Sequence, residues 1–279
     1  MIKTIFLATD FSPAAHDAAH YGAALALSLH ARLILFHVCP DPPLRITDSI
    51  VARDDEEVYL FVQRRLQEEA DAIDPVGKIQ VETSCRKASP VHTVILDAAR
   101  DMDADIIIAA IKAEQRPDAP FWPETVAALA RSAEMPLLLV PELSRFRPFS
   151  AIAMASEDDI ASGVDLHFLD VLRDIISHFN SKVFAVRVMK SGQEKEFERL
   201  NRPYRLQTAL GLSEMEYESI EGNEISFVLD DYIKDQGIDL LVVFPRKHSL
   251  FAKWLFSSVT KSLIQRPSAP LLVLPELRR

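Results

Sequence analysis

Residues 237–275 read GIDLLVVFPRKHSLFAKWLFSSVTKSLIQRPSAPLLVLP, and the sense of this stretch decides the fold. Leu240 to Phe244 is a short, wholly apolar run of the kind found in a parallel sheet covered on both faces. A basic loop follows it. Ser257 and Ser258 then offer helix N-cap hydroxyls, Val259, Leu263 and Ile264 make an apolar stripe, and Pro267 and Pro270 stop the helix. Leu271 to Leu274 reads as a second buried strand.

The same pattern occurs earlier, at residues 104–141, as ADIIIAAIKAEQRPDAPFWPETVAALARSAEMPLLLVP. Asp105 falls over Asp239 and Pro136 over Pro270, and both pairs stand 134 positions apart. A repeat of this length outranks any single motif, and it divides the 279 residues into two units of ordinary domain size. We expect one unit over residues 1–143 and a second over 149–279, joined by the linker PELSRFRP (141–148).

Composition sets the outer limits. A hydrophobic fraction of 48% with 26% charged residues is that of a soluble globular chain. The formal charge of −10 argues against a nucleic-acid surface, which needs a basic balance. The longest apolar runs are strand-sized, so no membrane span is expected. The N-terminal MIKTIFLATD runs straight into a strand and lacks the sections of a secretory signal, which points to the cytoplasm. Cys39 and Cys85 have no metal spacing and read as unpaired thiols.

Each half alternates strands with helices. In the first, strands are expected at Ile2–Ala8, Arg32–Val38, Lys78–Ser84, at Asp105 onward, and at Leu137–Val140. Ser12-Pro13 is a helix start, with a hydroxyl cap and proline at the first helical position. Ser89-Pro90 opens a later helix. In the second half, strands are expected at Ala151–Ala155, Lys182–Val188 and Glu214–Ile220, with helices at about 166–179, 193–210 and 223–236. Such alternation demands right-handed crossovers, so the fold class is α/β: two tandem, doubly wound, five-stranded parallel sheets, one per half.

These residues resemble the universal stress protein family in its tandem two-domain form. The resemblance rests on IFLATDFS (5–12), ADIIIAA (104–110), GIDLLVVF (237–244), MPLLLVP (135–141) and APLLVLP (269–275), and covers nearly the whole chain. It implies a Rossmann-like fold and a role in stress tolerance, with adenine nucleotides bound in some branches. It also implies that the last strands of the two halves pair, here Leu137, Leu138, Leu139 and Val140 with Leu271, Leu272, Val273 and Leu274, into an internal pseudo-dimer.

The family's ATP-binding branch carries glycine, two residues, glycine, nine residues, then glycine and a hydroxyl residue. Glycines let backbone amides approach phosphates with no Cβ in the way, and the helix N-terminus completes the anion site. Here the spacing is kept and the glycines are not. The motif positions fall on Ala110, Ala113, Pro123 and Glu124 in the first half, and on Phe244, Lys247, Ser257 and Ser258 in the second. Proline removes a donor and glutamate repels a triphosphate, so the first half is expected to be closed to ATP. The second half keeps Arg246, Lys247, His248, Ser257 and Ser258, which form either a solvated basic loop or a seat for a phosphate-bearing ligand. At the adenine end, Thr9 and Asp10 keep the acidic position that the resemblance places beside the base, whereas the second half has Ser156-Glu157.

Three other constellations carry weaker signals. His16 and His20 put two imidazoles at i and i+4, a metal-capable spacing with no third ligand nearby in sequence; surface histidines are the plainer reading. Ser84-Cys85-Arg86-Lys87 sets a thiol beside cations, and Cys85 is expected to end a strand. Phe121, Trp122, Phe251, Trp254 and Phe256 either line an apolar pocket or fill the space of a lost nucleotide.

The expectation is therefore a non-enzymatic, cytoplasmic stress-response or signalling module that acts by binding. It has no catalytic residue, no metal and no resident cofactor, and its protein partner is unidentified. The alternatives are ATP or other anion binding with slow hydrolysis in the second half, binding of a small apolar ligand, and homodimer formation.

Overall fold

The computed structural model describes residues 1–39, 55–111, 122–156, 166–189, 203–221, 225–244 and 268–275. The first half holds β1 (Thr4–Ala8), α1 (Pro13–Leu29), β2 (Arg32–Cys39), α2 (Asp55–Ile73), β3 (Val81–Lys87), α3 (Val91–Asp101), β4 (Ile106–Ile111), α4 (Trp122–Ser132) and β5 (Leu137–Pro141). The second holds β6 (Ala151–Ser156), α5 (Leu166–Phe179), β7 (Lys182–Met189), α6 (Pro203–Leu210), β8 (Glu216–Glu221), α7 (Ile225–Gln236), β9 (Leu240–Val243) and β10 (Leu271–Val273).

The described strands share one ten-stranded sheet in the order β3-β2-β1-β4-β5-β10-β9-β6-β7-β8. Within each half every pairing is parallel. The single antiparallel step joins the halves, with Leu271 opposite Leu139, Leu272 opposite Leu138 and Val273 opposite Leu137. Two five-stranded sheets, one per half, were expected with their last strands side by side; that pairing joins them into one sheet, because two apolar edge strands that would otherwise expose their amides satisfy each other.

The copies agree down to single hydrogen bonds. The Asp105 carboxylate accepts the Lys3 and Thr4 amides at 2.6 and 2.9 Å, and the Asp239 carboxylate accepts the Ala151 amide at 3.0 Å. The Ile107 amide donates to Pro136 at 2.9 Å, and the Leu241 amide to Pro270 at 3.0 Å. These aspartates anchor the start of each half's first strand to the start of its fourth.

Strand residues alternate between two cores, one on each face. Leu7, Leu35, Ile108, Val140, Met154, Val242 and Leu272 face α1, α2, α5 and α6. Phe6, Phe36, Ile107, Leu139, Ala155, Val243 and Val273 face α3, α4 and α7. Burial on both faces explains why the central strands read as continuous apolar runs. Helix α1 lies so close to the sheet that a Cβ on Gly22 would come 3.0 Å from the Leu7 side chain. The linker is tied to both halves by aromatic contacts: Phe146 meets Tyr21 of α1 and Phe179 of α5 at ring-centroid distances of 5.4 and 6.0 Å.

Two boundaries need correction. Strand β3 begins at Val81 and not at Lys78, because the Asp74 carboxylate accepts the Lys78 and Ile79 amides and holds that stretch in a turn. Cys85 consequently lies inside the strand. The helix after Ser89-Pro90 starts at Val91 with Pro90 as its cap, so no hydroxyl caps it. Residues 193–202 of the expected sixth helix lie outside the described residues.

Candidate functional site

In doubly wound sheets ligands sit beyond the carboxyl ends of the strands, where the strand order reverses. In the first half that place is between β1 and β4. Beyond β1, buried Thr9 receives the Phe11 amide on its hydroxyl at 3.0 Å. Asp10 accepts the Ser12 amide on its carboxylate at 3.0 Å, and the Ser12 hydroxyl in turn accepts the Ala15 amide at 3.2 Å, capping α1. Asp10 therefore serves the turn that launches the helix.

Between them Phe11 adopts φ 59, the left-handed region that a side chain enters only where its surroundings hold it. What holds it is visible. Its ring stacks on His37 of β2 at 4.6 Å between centroids, and the Arg65 guanidinium of α2 lies 5.1 Å from its centre. His37 donates from Nδ1 to the Thr9 carbonyl at 2.8 Å. Burial lowers the His37 pKa, against the opposing pull of that carbonyl and of Asp10, so the ring is held neutral.

At the other wall, the first motif position of each half carries a buried side chain. Ala110 is 7% exposed and Phe244 6% exposed. Both belong to the core on the α1 and α5 face, Ala110 with Ile108 and Val140, and Phe244 with Val242 and Leu274. Residues 112–121 and 245–267 lie outside the described residues. With them go Ala113, Arg246, Lys247, His248, Ser257 and Ser258, and the aromatic residues Phe121, Phe251, Trp254 and Phe256. Helix α4 begins at Trp122, so Pro123 and Glu124 occupy its first turn.

Topology decides which residues can meet. Because β5 and β10 are antiparallel, the carboxyl ends of the two halves face opposite edges of the sheet. Thr9 and Asp10 leave the sheet at one edge, and Phe244 leaves at the other. Strands β1 and β9 are also four steps apart in the order, about 19 Å at the usual strand spacing. Thr9 and Asp10 thus lie at the opposite edge of the sheet from Phe244 and do not meet it.

A cleft of about 580 Å³ opens beside the linker, at the carboxyl end of β5 and the amino ends of β9 and β10. Tyr21, Glu142, Arg145, Arg147, Lys234 and Asp239 line it. Neither Thr9 nor Asp10, the described residues among those expected to form a site, lines it.

Several residues escaped the sequence reading. Phe11, His37 and Arg65 come from three elements; the one available signal was a histidine inside the apolar strand Leu33–Val38. Glu69, on α2, binds His16 at 2.8 Å across 53 positions, a partnership no local pattern announces. Cys39 and Cys85 sit on neighbouring strands. The Cys39 side chain hydrogen bonds to Cys85 and holds its thiol down to about 7, with a further hydrogen bond from Tyr59. Among the described residues, no group of three or more potential ligands could hold a metal, and no helix is long and apolar enough to cross a membrane.

Comparison with known proteins places this geometry. The fold spans 98% of the chain and 96% of a universal stress protein from Archaeoglobus fulgidus, with a TM-score of 0.71 and 12% identity. A functionally unknown protein from Pseudomonas aeruginosa aligns over 99% of the chain and 93% of its own length, with a TM-score of 0.55 and 16% identity. A putative universal stress protein from another strain of that organism gives 0.54 and 15%, over 99% and 94% of the two chains. Curated proteins return no match. The model of the universal stress protein family matches residues 1–141 and again 148–275. The chain belongs to the universal stress protein family and carries its unit twice.

Proposed function

We propose that the protein is a stress-response module that acts by binding and not by catalysis, and that neither half retains an open ATP cradle. One observation carries this reading. At the position where an open cradle needs a bare backbone, each half has a side chain packed into the core, Ala110 in the first and Phe244 in the second. The base end of the first half supports it, since Asp10 is engaged with the Ser12 amide and Phe11 is stacked on His37. The first turn of α4 adds a proline and a carboxylate, both hostile to a triphosphate.

The halves stay associated through the β5–β10 step and the linker aromatics, and the partner is a protein and not a nucleic acid or a membrane. The outer edges, β3 and β8, end the sheet; β8 is acidic, with Glu216, Glu218 and Glu221, which discourages casual strand addition. In this reading a homodimer forms away from the β8 edge.

Thermal melting with magnesium and ATP tests the proposal. Ligand that binds only the folded state raises the melting temperature by mass action. No shift is expected at millimolar ATP. A rise of several degrees that Lys247→Ala abolishes would replace this reading with nucleotide binding in the second half, where Arg246, Lys247, His248, Ser257 and Ser258 supply an anion-friendly sequence. A rise unaffected by that change would move the site elsewhere and equally overturn it.

A further inference from the structure

We infer that His16 and His20, backed by Glu69, form a site for a late first-row divalent metal ion such as zinc or copper. The two residues are one turn apart on α1, and their rings stand edge to face with centroids 4.5 Å apart. Their Nε2 atoms face each other at 3.1 Å. Two imidazole nitrogens on one tetrahedral zinc, each at about 2.05 Å, lie about 3.3 Å apart. The separation of the two nitrogens is thus within a few tenths of an ångström of that in a chelate, and a turn of the rings would aim both lone pairs at one ion.

Protonation is arranged for the same purpose. The Glu69 carboxylate only accepts, so His16 Nδ1, 2.8 Å away, carries the proton. In the neutral ring that leaves the lone pair on His16 Nε2, pointing at His20. His20 Nε2 donates to it in the metal-free chain, and moving that proton to Nδ1 frees the second lone pair without net proton release. A carboxylate on the distal nitrogen of a ligating histidine fixes its tautomer and raises its basicity. Glu69 is 9% exposed, an unusual setting for a carboxylate without a fixed task.

The surroundings favour a cation further. The Glu69 carboxylate, bonded to His16 at 2.8 Å, puts negative charge beside the pair. His16 has 45% of its side chain exposed, which leaves metal an entry path and leaves the remaining coordination positions to water. Imidazole donors suit zinc, copper and nickel, with copper bound tightest at equal geometry. Because Glu69 comes from α2, an occupied site would brace α1 against α2.

Titration calorimetry on the full-length, tag-free chain with zinc alone, at neutral pH, tests the inference. One metal per chain is expected, with a rise of about 5 °C in melting temperature when free zinc exceeds the dissociation constant a hundredfold. His20→Ala should remove both signals. Glu69→Gln should weaken binding about tenfold or more while circular dichroism shows the fold intact. The inference is overturned if the unaltered chain gives neither heat nor shift at millimolar zinc. It is equally overturned if the His16→Ala, His20→Ala double variant binds zinc as the unaltered chain does.

Discussion

Replacing Phe244 by alanine removes a ring that is 6% exposed and packed beside Val242 and Leu274. Aromatic side chains bury about 150–250 Å². At about 25 cal/mol per Å² that corresponds to about 4–6 kcal/mol, an upper bound because the unfolded chain already hides some surface. Core Phe→Ala substitutions, cavity included, cost about 3–5 kcal/mol. A loss of about 4 kcal/mol is therefore expected. The equivalent change in the first half, Ala110→Gly, removes one methyl and loosens one strand position, together about 1.3–1.8 kcal/mol. Urea unfolding followed by circular dichroism, with both variants beside the unaltered chain, gives the two values. A cost below about 1 kcal/mol for Phe244→Ala would mean that the ring is not packed. It could then swing aside for a ligand, and the closed-cradle reading of the second half would fall with it.

Two further outcomes follow from titrating groups. His37 has its pKa lowered in the folded chain by burial, so the unfolded chain binds the proton more readily. Stability from this residue is fully present above the ordinary value of 6.5 and is lost as pH falls below it toward the folded value. The melting temperature should drop between neutral pH and about pH 5, and His37→Phe should flatten part of that drop; an unchanged slope would show that the ring is not buried neutral. Cys85, held down to about 7 by its hydrogen bond with Cys39 and then by Tyr59, should be alkylated faster than Cys39, with a rate that climbs through that pH. Mass spectrometry after brief iodoacetamide treatment reads both thiols, and equal labelling would count against the hydrogen-bonded pair.

Much of the fold was legible because the apolar runs are unambiguous. Ile106–Ile111 and Leu240–Val243 are buried on both faces, and such strands announce themselves without any alternation. Edge strand β3 was misplaced for the opposite reason. Its residues Val81–Lys87 are half exposed and largely polar, so hydrophobicity says little about where it stops; the Asp74 turn that sets its start is a side-chain effect. The candidate site was legible only in part. Substituted glycines could be counted along the chain, and Asp10 could be found by its position. That Asp10 caps a turn, that Phe11 stacks on His37, and that Glu69 orients His16 are contacts between distant elements, invisible to spacing.

The direction of one strand pairing decides more about function than any of these residues. Had β10 met β5 in parallel, both halves would present their carboxyl ends at the same edge, and residues of the two could have been pooled into one pocket. The antiparallel step forbids this. A ligand at the carboxyl edge of one half cannot touch the corresponding edge of the other, so any communication must pass through β4, β5, β10 and β9. Their residues there are close to fully buried, Ile107, Leu139, Leu272 and Val242 at 0% each. Close-packed layers of this kind resist graded deformation. The carboxyl edge of each half is thus chemically on its own, with the shared sheet between them acting as a rigid spacer.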